Sequence, residues 1–255
     1  MSVQLLDKMR RINRVLHYGD SDVVSFGEIC EVMSAELSAD VVVISSKGKI
    51  LGAGRTENSV LWPGLSVGDF IDKELNERFL NILSTQDNAS LEALGFDREQ
   101  ARRSKAIVSP VEISRMRLGT IFICREGENF DIDEIILTEH GTTIIGLEMR
   151  RSLNEENAAE MRRRQVVQSA IGTLSASEVE AVRYIFEELD GSEGILVASR
   201  IADRVGITRS VIVNALRKLE SAEVIESRSS GMKGTYIHIL NDLIFEELDK
   251  IPRRD

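Results

Sequence analysis

The stretch "GITRSVIVNALRKLE", residues 206–220, carries its apolar residues Ile212, Ala215, Leu216 and Leu219 at three- and four-residue steps. That spacing lays them on one stripe of a helix. Thr208 stands where a helix N-cap belongs. The opposite face displays Arg209, Ser210, Val213, Asn214, Arg217 and Lys218. Just upstream, "LVASRIADRV" (196–205) places Ile201, Ala202 and Val205 inward in the same way. Small Ala202 lets a second helix cross closely, and Gly206 permits the tight turn between the two.

The stretch "VIESRSSGMKGTYIHIL" (224–240) completes the pattern, with alternating strands at 224–228 and 235–240 flanking a glycine-rich tip that carries Lys233. Two crossed helices followed by such a hairpin read as a winged helix-turn-helix. The outward side chains of the second helix suit a DNA major groove. Arginine bonds guanine through two parallel hydrogen bonds, asparagine does the same with adenine, and valine meets a thymine methyl. Ser199, Arg200 and Thr208 add hydroxyl and cationic groups for phosphate. The expected contact set is therefore Ser199, Arg200, Thr208, Arg209, Ser210, Val213, Asn214, Arg217, Lys218 and Lys233.

Charge is the apparent objection, because the formal net charge of the chain is −10. Residues 198–235 hold seven cationic side chains against four carboxylates, a local surplus of three that leaves −13 for the remainder. Cations are concentrated where a groove reader needs them, and an acidic remainder discourages wrapping of arbitrary polyanions.

The chain of 255 residues is long enough for a second core. Residues 2–18 have helical apolar spacing, and Ser25, with Glu28 three residues on, opens a second helix. "DVVVISSKGKILGAG" (40–54) is β-branched around Lys47-Gly48 and reads as a hairpin. Residues 69–83 return to helical spacing, and 105–112 and 117–126 read as strands joined by "ISRM". This order suggests an α+β sensory domain of the GAF or PAS kind, by fold analogy. From Asp131 to Gly172 one long helix is expected, apolar on one side at first and then polar all round, as in a connector between domains. Its apolar side could pair with a second copy, so a homodimer is expected. A further helix over 175–190 is capped by Ser175 or Ser177. The domains are thus placed at 1–150 (GAF-like sensor), 151–172 (linker helix) and 173–255 (winged helix-turn-helix).

The segments "ASRIADRVGITRSVIVNALRKLESAEVIESRSSGMKGTYIHIL", "FEELDGSEG" and "MSVQLLDKMRRINRVL" resemble the CodY family, global transcriptional repressors of low-GC Gram-positive bacteria. The resemblance covers the whole chain and is most specific over 185–240. It implies a GAF-type domain binding isoleucine, leucine or valine, a dimer, operator DNA as partner, and GTP as a further effector. In that family an arginine after the second strand grips the amino-acid carboxylate within an aliphatic cup. Arg55 and Phe70 best match those roles, with Leu61 or Trp62, and Leu94 to Phe96, completing the cup. An arginine fork suits a carboxylate, and a small apolar cup selects branched side chains. For GTP the residues offer no P-loop and place no site.

Other chemistry is not supported. His17, His140 and His238 are scattered away from metal-ligand spacing. No nucleophile elbow or paired-carboxylate motif stands out, so no enzyme and no prosthetic group are expected. The runs "RRR" at 162–164 and "RR" at 102–103 could touch phosphate but read first as solvated helix. Absence of a long apolar run excludes a membrane span, and Cys30 and Cys124 in apolar surroundings fit a reduced cytoplasmic protein. The competing function is a signalling adaptor whose winged helix binds protein.

Overall fold

The computed structural model describes residues 3–18, 25–57, 59, 66–96, 103–189, 191–231 and 234–252. The chain divides into two compact units, Met1–Leu153 and Asn154–Asp255.

In the first unit, helices α1 (Val3–Tyr18) and α2 (Phe26–Leu37) precede strands β1 (Asp40–Ser45) and β2 (Ile50–Gly54). Helix α3 (Lys73–Leu80), β3 (Gln86–Ala89), β4 (Ser104–Ile113) and β5 (Met116–Glu126) follow, and α4 (Ile132–Gly172) begins here. The strands form one antiparallel sheet in the order β2-β1-β5-β4-β3. Alternation along β1 sends Val41 and Val43 to one face and Val42 and Ile44 to the other. The first face packs on α1, α2 and the start of α4 through Leu5, Ile12, Ile29, Met33, Leu137 and Ile145. The second face holds a separate cluster with Phe79, Phe122, Leu91 and Leu94.

Local chemistry explains the element ends. Ser25 caps α2 by accepting a hydrogen bond from the Gly27 N–H at 3.2 Å, while Glu28 does not return the bond. Helix α3 is shorter than the expected 69–83 because the Asp72 carboxylate caps it, accepting from Glu74 and Leu75 N–H groups. The 113–116 loop contracts to Ser114 and Arg115, both at positive φ (52° and 67°), the handedness that matches strand twist in a tight hairpin. Glycine is required in "GAG": a Cβ on Gly54 would lie 2.1 Å from the Cys30 carbonyl oxygen, and one on Gly52 2.6 Å from that of Phe26. Helix α2 therefore rests directly on the backbone of β2. The onset of α4 is held by Arg125 on β5, whose guanidinium donates to both carboxylate oxygens of Glu134, at 2.5 and 2.8 Å.

The second unit contains the last turns of α4, then α5 (Ala176–Glu188), β6 (Glu193–Leu196), α6 (Ala198–Val205), α7 (Arg209–Ser221), β7 (Ile225–Ser229), β8 (Thr235–Ile239) and α8 (Leu243–Asp249). The strands pair antiparallel in the order β6-β8-β7. Ser175, not Ser177, caps α5, in a reciprocal capping box with Glu178. The end of α4 is not a bare connector as expected over 151–172. Val167 and Ala170 are buried in the core of this unit beside Val182, Ile185 and Leu219. Arg163 bonds Asp242 at 2.7 Å, and Arg164 bonds Glu246 and Glu247 at 3.1 and 2.8 Å. Strand β3, strand β6 and helix α8 were not legible from periodicity, being four, four and seven residues long.

Candidate nucleic-acid interface and effector face

Helices α6 and α7 meet at Gly206, whose φ of +72° makes the left-handed turn that a side chain would strain. Ile201, Ala202, Ile212, Ala215, Leu216 and Leu219 are buried, which fixes the rotation of α7 and turns Arg209, Ser210, Asn214 and Arg217 to solvent. Ser199, Arg200 and Thr208 are exposed beside them, and Val213 is half-buried. Thr208 occupies the N-cap, but its hydroxyl pairs with the Ser210 hydroxyl at 2.8 Å instead of capping the backbone. Strands β7 and β8 form the wing, and Ser230 N–H bonds the Gly234 carbonyl at 2.8 Å where the two strands meet the turn. Lys233, at the tip, lies outside the described residues.

Ion pairing sorts the cations of this unit. Arg163, Arg164, Arg204, Lys218, Arg228 and Lys250 all pair with carboxylates. Arg162, Arg200, Arg209 and Arg217 make no ion pair or hydrogen bond among the described residues. In an acidic chain, guanidinium groups left without a carboxylate partner are the ones open to an external anion.

Lys218, expected on the groove-facing side, is engaged within the unit: its Nζ donates to Glu178 at 2.7 Å and to the Thr173 carbonyl at 2.9 Å. One residue beyond Arg217 is a rotation of about 100° around the helix, which carries Lys218 to the α5 cap. Burial opposes ionisation of Glu178, but hydrogen bonds from Lys218 and Ser175 outweigh it and hold the carboxyl below its ordinary value.

The expected effector residues divide. Leu94 is buried in the cluster on the second sheet face, and Phe96 packs there too, its ring stacked on Phe122 at 5.5 Å. Arg55 is exposed just after β2, where Thr56 is fastened to the buried Asp40 carboxylate by two hydrogen bonds of 2.8 and 2.9 Å. Phe70 is 62% exposed, and its backbone bridges Lys49. Extended alternation turns the next residue, Ile71, inward instead. Leu61 and Trp62 lie outside the described residues. Arg117, unremarked in the sequence, reaches this face, but its guanidinium is committed to the Phe79, Ile82 and Gly119 carbonyls and the Thr120 hydroxyl. Among the described residues, no group of three or more His, Cys, Asp or Glu could hold a metal ion, and no helix is long and apolar enough to cross a membrane.

A sheet domain followed by a winged helix-turn-helix whose second helix bears arginines unpaired among the described residues defines the class of two-domain DNA-binding regulators. Residues 4–173 match the profile described as CodY GAF-like domain, and residues 192–251 match CodY helix-turn-helix domain. The chain belongs to the CodY family. It is 47% identical to the global transcriptional regulator CodY of Clostridium botulinum (strain Okra), over 97% of this chain and 98% of that one. To the same regulator of Thermoanaerobacter sp. (strain X514) it is 46% identical, over 98% and 99%. The cofactor-binding GAF domain of the nutrient sensor CodY from Clostridium difficile aligns with 58% of this chain and 99% of its own, at 28% identity and a TM-score of 0.44.

Proposed function

We propose that this protein is a metabolite-responsive transcriptional repressor. Helix α7 reads operator bases in the major groove, and a branched-chain amino acid (isoleucine, leucine or valine) tightens that binding. The observation that carries the reading is the exposed face of α7, where Arg209, Asn214 and Arg217 stand without partners among the described residues in a chain of net charge −10. Arg200, Ser199, Thr208 and Ser210 flank it and serve phosphate oxygens, while Arg209 and Asn214 serve base edges. No catalytic chemistry is needed for this role.

The apolar cluster of Leu94, Phe96 and Phe122 supports an aliphatic effector on the second sheet face, with Arg55 as the carboxylate partner. GTP as a second effector rests on the family resemblance alone. Exposed Leu147, Leu153 and Met161 along α4 support a homodimer. An effector can shift operator affinity only by its differential affinity for the DNA-competent arrangement.

The test is operator-library binding at fixed salt with and without isoleucine. Selective binding tightened by isoleucine, and an Arg55→Ala variant that binds operator but ignores isoleucine, are the expected results. Loss of all sequence selectivity would sink the repressor reading in favour of a protein-binding adaptor. A full isoleucine response in Arg55→Ala would remove Arg55 from the pocket.

A further inference from the structure

The last turns of α4 and the C-terminal half of α7 enclose an open groove of about 840 Å³. Its floor is Val166, Ala170 and Ala222, and its rim includes Arg162, Gln165, Ser169 and Arg217. Residues 162, 165 and 169 follow i, i+3, i+7 spacing, so they share one face of α4. Among the described residues no carboxylate lines the groove, although the chain holds 42 acidic side chains against 32 basic ones.

The triplet Arg162-Arg163-Arg164 is divided by the fold. Arg163 and Arg164 turn to the carboxylates of α8, whereas Arg162 is exposed and unpaired among the described residues. Three carboxylates, Asp242, Glu246 and Glu247, take up the neighbouring arginines. Arg162 instead points its charge into a groove whose other wall ends in Arg217, itself part of the DNA-facing set.

We infer that Arg162, Gln165 and Ser169 of α4 hold phosphates of the bound operator, extending the DNA contact beyond the helix-turn-helix. This rests on the DNA-reading role proposed for α7. A small-molecule site would bury most of its ligand, but here Arg162, Gln165, Ser169 and Arg217 are all exposed. An open wall with hydrogen-bond donors and no carboxylate fits a polymer backbone, and Arg217 makes it continuous with α7. The apolar floor accommodates the deoxyribose edges between phosphates.

Binding of the full-length protein to operator and to random duplex, measured across a salt series, tests this. Arg162→Gln should weaken both duplexes by a similar factor, and the slope of log affinity against log salt should shrink by about one, the signature of one lost phosphate contact. Arg162→Lys should keep most of the slope, and Gln165→Ala should weaken both duplexes modestly. Asn214→Ala is the comparison, expected to lose operator preference. An unchanged slope in Arg162→Gln, with Asn214→Ala still defective, overturns this inference and leaves the α7 reading intact. If neither variant alters binding, the α7 reading itself has failed. A change in sedimentation with an unchanged salt slope would assign the groove to a second copy of the chain and also overturns the proposal. Thermal melts of each variant confirm that the fold is retained.

Discussion

The Lys218 ammonium lies 2.7 Å from the carboxylate of Glu178, tying helix α7 to the first turn of α5. Glu178 is only 6% exposed, and it simultaneously closes the capping box with Ser175. A buried carboxylate that loses its counter-charge is costly, whereas an exposed pair contributes little. Lys218→Met should therefore destabilise the second unit by about 1–3 kcal/mol, since Lys218 itself is partly exposed. The double variant with Glu178→Gln should recover part of the loss in denaturant unfolding. Undiminished stability in Lys218→Met would return the lysine to the set of candidate phosphate contacts.

On the other face of α7, Asn214 and Arg209 have no partner among the described residues. If each touches a base, Arg209→Ala or Asn214→Ala should cost about 1–3 kcal/mol of operator binding and relax preference at one base position. Competition binding against single-base operator variants reads this. Equal losses on every sequence would place the residue on phosphate instead.

Gly54 has the Cys30 carbonyl where its Cβ would be. Gly54→Ala must push α2 off β2, an overpacking change of about 1–3 kcal/mol. Differential melting of the two units should show the loss in the first one.

The two thiols should be nearly inert. Burial pushes both Cys30 and Cys124 up to about 12, and the thiolate is the reacting species. At pH 8 an aromatic disulfide reagent should modify neither in the native protein and both after unfolding. Rapid native-state labelling would mean that one of them is reached by solvent.

Acid should weaken the second unit. Hydrogen bonds from Lys250 and Gln168, joined against burial by one from Arg164, hold the Glu247 carboxyl down to about 2. A depressed folded value contributes stability that is complete above the ordinary value near 4.5 and is lost as pH falls through about 2. The melting temperature should fall over that window, and Glu247→Gln should flatten the fall. An unaltered acid profile in that variant would show that other carboxylates govern it.

Much of this was legible in the sequence. The spacing of Ile212, Ala215, Leu216 and Leu219 is a local periodicity that already states which face of α7 is buried, and Gly206 marks the turn before it, whereas the unbroken apolar run of β1 names a strand covered on both faces. Ser175 and Ser177 each have a glutamate three residues on, Glu178 and Glu180, so the sequence offered both caps and the fold selected Ser175. By the same logic Arg209, Asn214 and Arg217 had to face outward once the stripe was known.

Tertiary structure decided what periodicity cannot: which polar groups meet across the chain. Lys218 and Arg217 are neighbours in sequence, yet a buried carboxylate 40 residues away claims one and leaves the other exposed. In the same way α8 claims Arg163 and Arg164 but not Arg162, and the edge next to Lys49 turns Phe70 outward and Ile71 in. Short elements such as β6 and α8 owe their form to partners distant in sequence, because four to seven residues cannot offset the entropy of ordering on their own. Face and period are written along the chain, whereas the partner of a charge is settled only when the fold brings that partner near.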